Sequence, residues 1–188
     1  FGLFLYDNLG GKTNIPKSKT FDLNKKFPNI LKEKYKTGFQ YFDIQIDDKK
    51  LTKLNAQDAK RNKAKILEYN KVKKAEIINN EWVISLQNGK KIKSKVLINA
   101  SGPWINDTLN KNIKIKSKNK IRLVKGSHII TKKLYKEDVA FTFQNTDKRI
   151  IFVIPYKKHF SLIGTTEVEV KSPENNGISN QEIQYLIN

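Results

Sequence analysis

At 188 residues the chain has room for one ordinary domain or two small lobes, and 38% hydrophobic with 29% charged residues supplies enough apolar material for a core, which excludes global disorder. No cysteine occurs, so disulfides, thiolate metal sites, iron–sulfur clusters and cysteine nucleophiles are excluded within these residues. Lys and Arg number 37 against 18 Asp and Glu, a net charge of +19, yet the lysines are spread through every segment without the aromatic-interleaved stripe that single-stranded nucleic acid requires.

No window approaches the roughly 18 to 20 uncharged apolar residues of a membrane span, and FGLFLYDNLGGK lacks the basic leader of a signal peptide. Met is absent, the chain opens at Phe1 and it closes at Asn188 inside a helical pattern, so it reads as an internal portion of a longer protein.

In chain order, Leu9-Gly10-Gly11, Ile15-Pro16 and Phe27-Pro28 mark turns, and Gly38 to Ile46 is strand-like, with Ile44-Gln45-Ile46 alternating across one wet face. Asp47-Asp48 ends that run. With Asp48 as N-cap, Leu51, Leu54, Ala59 and Ala64 predict an amphipathic helix from Lys50 to about Leu67. Three β-type runs follow, Lys73 to Ile78, Trp82 to Leu86 and Lys91 to Ala100. The breaks between them are Asn79-Asn80 and the strong hairpin signal Asn88-Gly89, which predicts an antiparallel meander. The last strand ends in Val96-Leu97-Ile98-Asn99-Ala100, an apolar run of the kind buried on both faces of an α/β sheet.

Ser101-Gly102-Pro103-Trp104 opens a short helical segment, with Pro103 where a missing N–H costs nothing, and residues 106–120 read as a Lys-rich connector. Ile121 to Thr131, Val139 to Gln144, Arg149 to Tyr156 and Phe160 to Thr166 are four strand-like runs at hairpin spacing, which predicts an antiparallel sheet. Ser179 caps a final helix beginning near Gln181. Trp82 and Trp104 occupy core-like positions, and His159 lies in a solvated turn.

The common stand-alone motifs GxGxxG, Walker A, HExxH and GxSxG are all missing. Three constellations remain. Asn99-Ala100-Ser101-Gly102-Pro103-Trp104 lets backbone approach a ligand closely and offers N–H groups to an anion; a plain strand-to-helix turn accounts for it equally well. In Ile121 to Ile130, an extended strand puts Arg122, Val124, Gly126 and His128 on one face unless Gly126 bulges, and His128 reads as a proton acceptor or as a packed histidine. Arg61, Arg122 and Arg149 are the three arginines. Arg149, at a strand entrance in a chain that writes Lys almost everywhere, suggests forked contact with an anion, or a surface salt bridge with Asp147. Arg61 is assigned to an exposed helix face, and Gly164-Thr165-Thr166-Glu167 either meets a ligand or caps the sheet.

Taken in order, FLYDNLGG, GFQYFDIQIDDKKLTKLNAQDA, NASGPW, IRLVKGSHII, FQNTDKRIIFVIPY and FSLIGTTEVE resemble the FAD-dependent glycerol-3-phosphate dehydrogenases, from about Phe4 to Tyr185. The resemblance implies an α/β and α+β fold, in which part of a Rossmann-like FAD-binding domain with a β-meander is interleaved with a substrate domain built on an antiparallel sheet. Its segments would be 1–48 and 113–188 for substrate and 49–112 for FAD. It implies oxidation of sn-glycerol 3-phosphate to dihydroxyacetone phosphate, with electrons passed to a quinone. The setting it implies is a cytoplasmic protein, peripheral on the inner face of the cell membrane, without nucleic acid as partner; it admits a homodimer.

By position, the resemblance places Val72 and the turn Ala100, Ser101, Gly102 and Trp104 against FAD, and His128 at the isoalloxazine and substrate. Arg149 falls in the active site as a catalytic and substrate-binding residue, and Arg122 and His128 join it among the substrate-binding residues. The family usually has His at Asn8 and Arg at Lys12. The implied chemistry is removal of the C2 hydroxyl proton by a base, for which His128 is the candidate, as the C2 hydride moves to the flavin. Two other readings stay open: an amine or amino-acid oxidase of the same architecture, with Arg149 gripping a carboxylate, and a non-enzymatic basic nucleic-acid-binding module. The central expectation is spatial: His128 and Arg149 come from neighbouring strands and share a hollow roofed by NASGPW.

Overall fold

Short capped helices and tight hairpins set the architecture, each traceable to a few residues. The computed structural model describes residues 2–9, 14–119, 121–174 and 176–188, and the chain divides into two units, Phe1–Ile66 and Leu67–Asn188. Gly10, Gly11 and Lys12, singled out above, lie outside the described residues.

In the first unit α1 (Gly2–Leu9) is followed by an antiparallel pair, β1 (Lys19–Asp22) and β2 (Thr37–Gln40). Asn8 is exposed on α1, its amide donating to Phe4 O at 2.7 Å. Between the strands α2 (Leu23–Lys26) is capped by Asp22, whose carboxylate accepts from two backbone N–H groups. The strand expected to run to Ile46 stops at Gln40, because β1 offers only four residues of ladder, and Ile44 and Ile46 are exposed. The long helix is α3 (Asp48–Arg61), with Asp47 rather than Asp48 as N-cap, accepting from Lys50 N at 2.9 Å. It ends six residues before Leu67, where Asn62 caps it and Lys63 takes a positive φ.

The second unit begins with the meander, β3 (Val72–Ile78), β4 (Glu81–Leu86) and β5 (Lys91–Ser94), in the order β3-β4-β5. Asn79 and Asn80 both have positive φ, as a two-residue hairpin with matching twist demands, and Gly89 supplies φ +83 at the next turn. Ala75, Ile84 and Leu86 form the core here, with Val72, Trp82, Leu97 and Ile113 packed against it. Residues 96–100 are not a strand. β5 ends at Ser94, and among the described residues no strand pairs with this run, so Val96 is 67% and Ile98 81% exposed while Leu97 packs on the meander core.

The helical segment is longer than its sequence suggests. A 3₁₀ turn (Gly102–Trp104), α4 (Ile105–Asp107) and a π-helical turn (Thr108–Ile113) run on without a break until Lys114, in the left-handed region, stops them. Only the residues beyond it form the connector. Asn112 moors this segment to the meander, donating to Val72 O at 2.9 Å and Lys73 O at 3.1 Å.

The four expected strands appear as β7 (His128–Lys132), β8 (Phe141–Gln144), β9 (Ile150–Tyr156) and β10 (Phe160–Gly164), all antiparallel in the order β7-β10-β9-β8. The run Ile121 to Thr131 is split, however. Its first part, β6 (Val124–Lys125), pairs with β11 (Val168–Glu169) in a separate ribbon, and Gly126-Ser127 crosses to β7. Ser127 N donates to Thr166 Oγ1 at 3.0 Å and Ser127 O accepts from Thr166 N at 3.1 Å, which diverts the chain out of the first ladder. Arg122, Val124, Gly126 and His128 therefore do not share one continuous strand face.

Register assigns the faces, because residues directly opposite one another point the same way. His128, Gly164, Phe152 and Thr142 form one row, and Ile130, Leu162 and Ile154 the next on that face. The other face carries Ile129, Ile163, Val153 and Phe141 and is closed by Tyr135, whose hydroxyl lies 2.8 Å from Val139 O and 2.9 Å from Val153 O. Burial, with Glu137 and Asp138 adding to it, pushes the Tyr135 phenol up to about 12. The chain ends in α5 (Asn180–Ile187), with Ser179 and Glu182 forming a reciprocal capping box.

Candidate functional site

His128 opens β7 at the rim of the four-stranded sheet, exposed, with its imidazole lying across Gly164 of β10. A Cβ built on Gly164 would fall 2.3 Å from His128 Cδ2, so the ring occupies the space a side chain would need. The sheet face it shares carries exposed Ile130, Ile150 and Phe160, with Thr142, Gln144 and Lys132 as its polar positions.

The residues before His128 are tied to a buried carboxylate. Glu182, 5% exposed, accepts from Lys125 Nζ at 2.7 Å, Ser127 Oγ at 2.9 Å, Thr166 Oγ1 at 2.8 Å and the Ser179 N and Oγ at 2.9 Å each. Burial alone would push its pKa up. Hydrogen bonds from Lys125, from the Ser179 backbone and from the Thr166 and Ser179 hydroxyls outweigh that and hold the carboxyl far below its ordinary 4.5. A depressed folded-state pKa stabilises the fold fully above 4.5, and the contribution is lost as pH falls below that value. We expect the thermal midpoint of the complete protein to exceed that of Glu182→Gln at about pH 7, and the gap to narrow steadily below about pH 4.5. Melting curves at pH 7 and at about pH 3.5 check this, and an unchanged gap would remove Glu182 from the acid limb.

Arg149 lies just ahead of β9, and β10 separates β9 from β7, so Arg149 and His128 do not come from neighbouring strands. Its Nε donates to Asp147 Oδ2 at 2.7 Å and its Nη2 lies 2.5 Å from the same oxygen. The guanidinium stacks 3.9 Å over the Tyr185 ring, while Tyr185 OH donates to Asp147 Oδ1 at 3.2 Å. The Arg149 hydrogen bond holds Asp147 below the usual carboxylate range. A cleft of about 310 Å³ is lined by Arg149, Thr166, Val168, Gln181, Glu182 and Tyr185, with Ser179; neither His128 nor the NASGPW turn borders it. The cleft at Arg149 therefore lacks the roof and the neighbouring-strand pairing expected from the sequence, although Thr166 and Glu182, which hold the segment before His128, line it. Arg122 is exposed ahead of β6, Arg61 is exposed on α3, and His159 is exposed in its turn, the last two as expected.

The NASGPW turn is self-supporting. Asn99 Oδ1 accepts from Ser101 Oγ at 2.7 Å and Ser101 N at 3.3 Å, and Asn99 Nδ2 donates to Ile105 O at 3.1 Å. Ala100, Gly102 and Trp104 are exposed, Gly102 has φ +57, and nothing lies within 4 Å of where its Cβ would be. Trp104 is 45% exposed and donates its indole N–H to Glu174 Oε1 at 2.6 Å, so it is a surface tether and not the core residue expected. Val72 is half-buried, its carbonyl accepting from Asn112.

No local motif announces the cluster of Glu182, Lys125, Thr166 and Gly164. The Ser179-to-Glu182 spacing was the available signal, and it accounts only for the helix cap. Among the described residues no group of three or more His, Asp or Glu is arranged to hold a metal ion.

Comparison with known proteins agrees with the architecture. The chain is 38% identical over 195 residues to the aerobic glycerol-3-phosphate dehydrogenase of Escherichia coli (strain K12), covering 100% of this chain and 38% of that protein. It is 36% identical over 193 residues to the D-erythritol 1-phosphate dehydrogenase of Brucella abortus (strain 2308), covering 99% and 38%. The chain thus spans 38% of the length of these relatives. The crystal structure of L-proline dehydrogenase from P. horikoshii shares the fold, with a TM-score of 0.65 at 20% identity over 91% of this chain and 46% of that one. Residues 6–188 match the family DAO, FAD dependent oxidoreductase, almost end to end, and the chain belongs to that family.

Proposed function

We propose that this chain is the central part of a flavin-linked dehydrogenase that oxidises sn-glycerol 3-phosphate to dihydroxyacetone phosphate. The observation that carries the reading is the seat of His128, an exposed imidazole held on the sheet face by a glycine. The curated relatives that match across the whole chain are named for polyol phosphates. In this reading 49–112 belongs to the FAD domain, and 1–48 with 113–188 to the substrate domain.

The residues present fit FAD: Ala100 and Gly102 are exposed with Ser101 half-buried between them, and the open space over Gly102 admits a flat ligand against the peptide. Ala100, Ser101, Gly102 and Trp104 would hold it, together with the Val72 backbone on the meander to which Asn112 ties the same segment. FAD when bound supplies the two-electron acceptor for the C2 hydride. His128 takes the proton of the C2 hydroxyl, so the O–H electrons close the carbonyl as the C–H bond breaks. Arg122 and Arg149 offer donors to substrate oxygens; since Asp147 already balances the charge of Arg149, its part is orientation by hydrogen bonding.

Transfer of electrons to a quinone, a peripheral seat on the inner face of the cell membrane and a homodimeric assembly complete the reading. No helix among the described residues is long and apolar enough to cross a membrane, and the abundant lysines complement anionic lipid.

The test is anaerobic bleaching of the flavin band of the complete protein on mixing with sn-glycerol 3-phosphate, D-erythritol 1-phosphate or L-proline. We expect the glycerol phosphate to give a bimolecular rate constant about a hundredfold above that of proline, because a site built to bond a phosphate rejects a ligand lacking it. Faster reduction by the erythritol phosphate moves the substrate within the polyol phosphates, a reading its 36% identical relative supports. Reduction by proline alone refutes both.

A further inference from the structure

We propose, building on the reading of His128 above, that Glu182 is a positioning residue for the reaction: its carboxylate fixes His128 over Gly164 from two sides. A capping box requires only the reciprocal contacts with Ser179. Glu182 makes these, with Ser179 N and Oγ donating at 2.9 Å each, and accepts three further bonds that the helix does not need.

Those three bonds come from other elements. Lys125 and Ser127 flank the glycine that carries the chain from β6 to β7, and Ser127 is the residue before His128. Thr166 lies two residues beyond Gly164, the floor of the imidazole. Ser127 N and Thr166 Oγ1 are themselves bonded at 3.0 Å, closing a ring of contacts through Oε1. Gly126 packs close against the same segment, where an added Cβ would lie 2.5 Å from Thr165 Oγ1. One buried carboxylate therefore sets the spacing between the strand that bears the histidine and the strand it rests on.

An amide cannot replace this acceptor set. Glutamine offers one acceptor oxygen and an NH₂ that would confront the donors arriving from Lys125 and Ser179, or from Ser127 and Thr166, depending on its orientation. The fold can survive through the remaining β7-β10 ladder, which pairs His128 to Lys132 with Gly164 to Phe160. The imidazole would then lose a fixed seat and not its strand.

The experiment is a double-mutant cycle in the complete, FAD-loaded enzyme: wild type, His128→Ala, Glu182→Gln and both together, each read as kcat per bound flavin, KM and melting temperature. We expect Glu182→Gln to lower kcat about tenfold with KM shifted less than about threefold, and to cost less than about twofold more once His128 is gone. The same tenfold loss in the His128→Ala background, or wild-type kcat per bound flavin in Glu182→Gln, would overturn the assignment of Glu182. If Glu182→Gln does not accumulate as folded protein, Ser127→Ala and Thr166→Val, each removing one donor, take its place under the same criteria. Wild-type turnover in His128→Ala would end the role given to His128, and this proposal with it; additivity alone ends only the latter.

Discussion

Replacing His128 by alanine lowers turnover of the complete enzyme about a hundredfold while flavin content and melting temperature stay near wild type, because a positioned proton acceptor contributes about 10² to 10⁴ in rate. The separation between activity and stability follows from where the ring sits. It is exposed at the end of β7 and rests on a glycine, and among the described residues no hydrogen bond engages its side chain. Removing such a side chain alters stability by about 0.5 kcal/mol or less. The residues assigned to FAD, Val72 with Ala100, Ser101, Gly102 and Trp104, lie elsewhere in the chain, with supports in Asn112 and Asn99. Stopped-flow reduction by sn-glycerol 3-phosphate, with flavin counted by absorbance after denaturation, reads the effect directly. Turnover within twofold of wild type would hand the proton to a base elsewhere.

Local chemistry made much of the fold readable. Asn79-Asn80 and Asn88-Gly89 announce hairpins because two-residue turns need positive φ, and Ser179 announces α5 because a helix start leaves free N–H groups. What depends on partners distant in sequence was not readable. Val96 to Ala100 has the composition of a buried strand, but pairing is settled by neighbours, and with none among the described residues Val96 and Ile98 lie open while Leu97 packs on the meander. The break between β6 and β7 is decided by Thr166, about forty residues on.

The site divides in the same way. Two guanidinium nitrogens of Arg149 converge on one oxygen of Asp147, two residues earlier, and the bland alternative of a local ion pair describes that contact. Of the two hydroxyls in Gly164-Thr165-Thr166-Glu167, that of Thr166 donates to Glu182 and that of Thr165 to the Thr166 carbonyl. His128 and Gly164 could each be picked out as unusual residues in strands, yet only the register of β7 on β10 shows that they belong together.

That pairing makes Gly164→Ala the second large effect, and one that separates position from chemistry. The added methyl would sit 2.3 Å from His128 Cδ2 and 2.7 Å from Cγ, far inside contact distance, so one group must leave. The backbone of β10 is held between β7 and β9 and cannot retreat, whereas the exposed ring can swing toward solvent by rotating about χ1. The strain is therefore relieved at the cost of the imidazole's position. Turnover falls about tenfold or more, since misplacing a reacting group by about 1 Å costs up to a hundredfold, and unfolding changes little. Adding Gly164→Ala to His128→Ala supplies the control. With no ring to displace, the alanine at 164 meets only a small neighbour, and the double variant turns over at the rate of His128→Ala alone. A further tenfold loss in the double variant would mean that Gly164 serves the substrate directly and that the histidine is not what it seats.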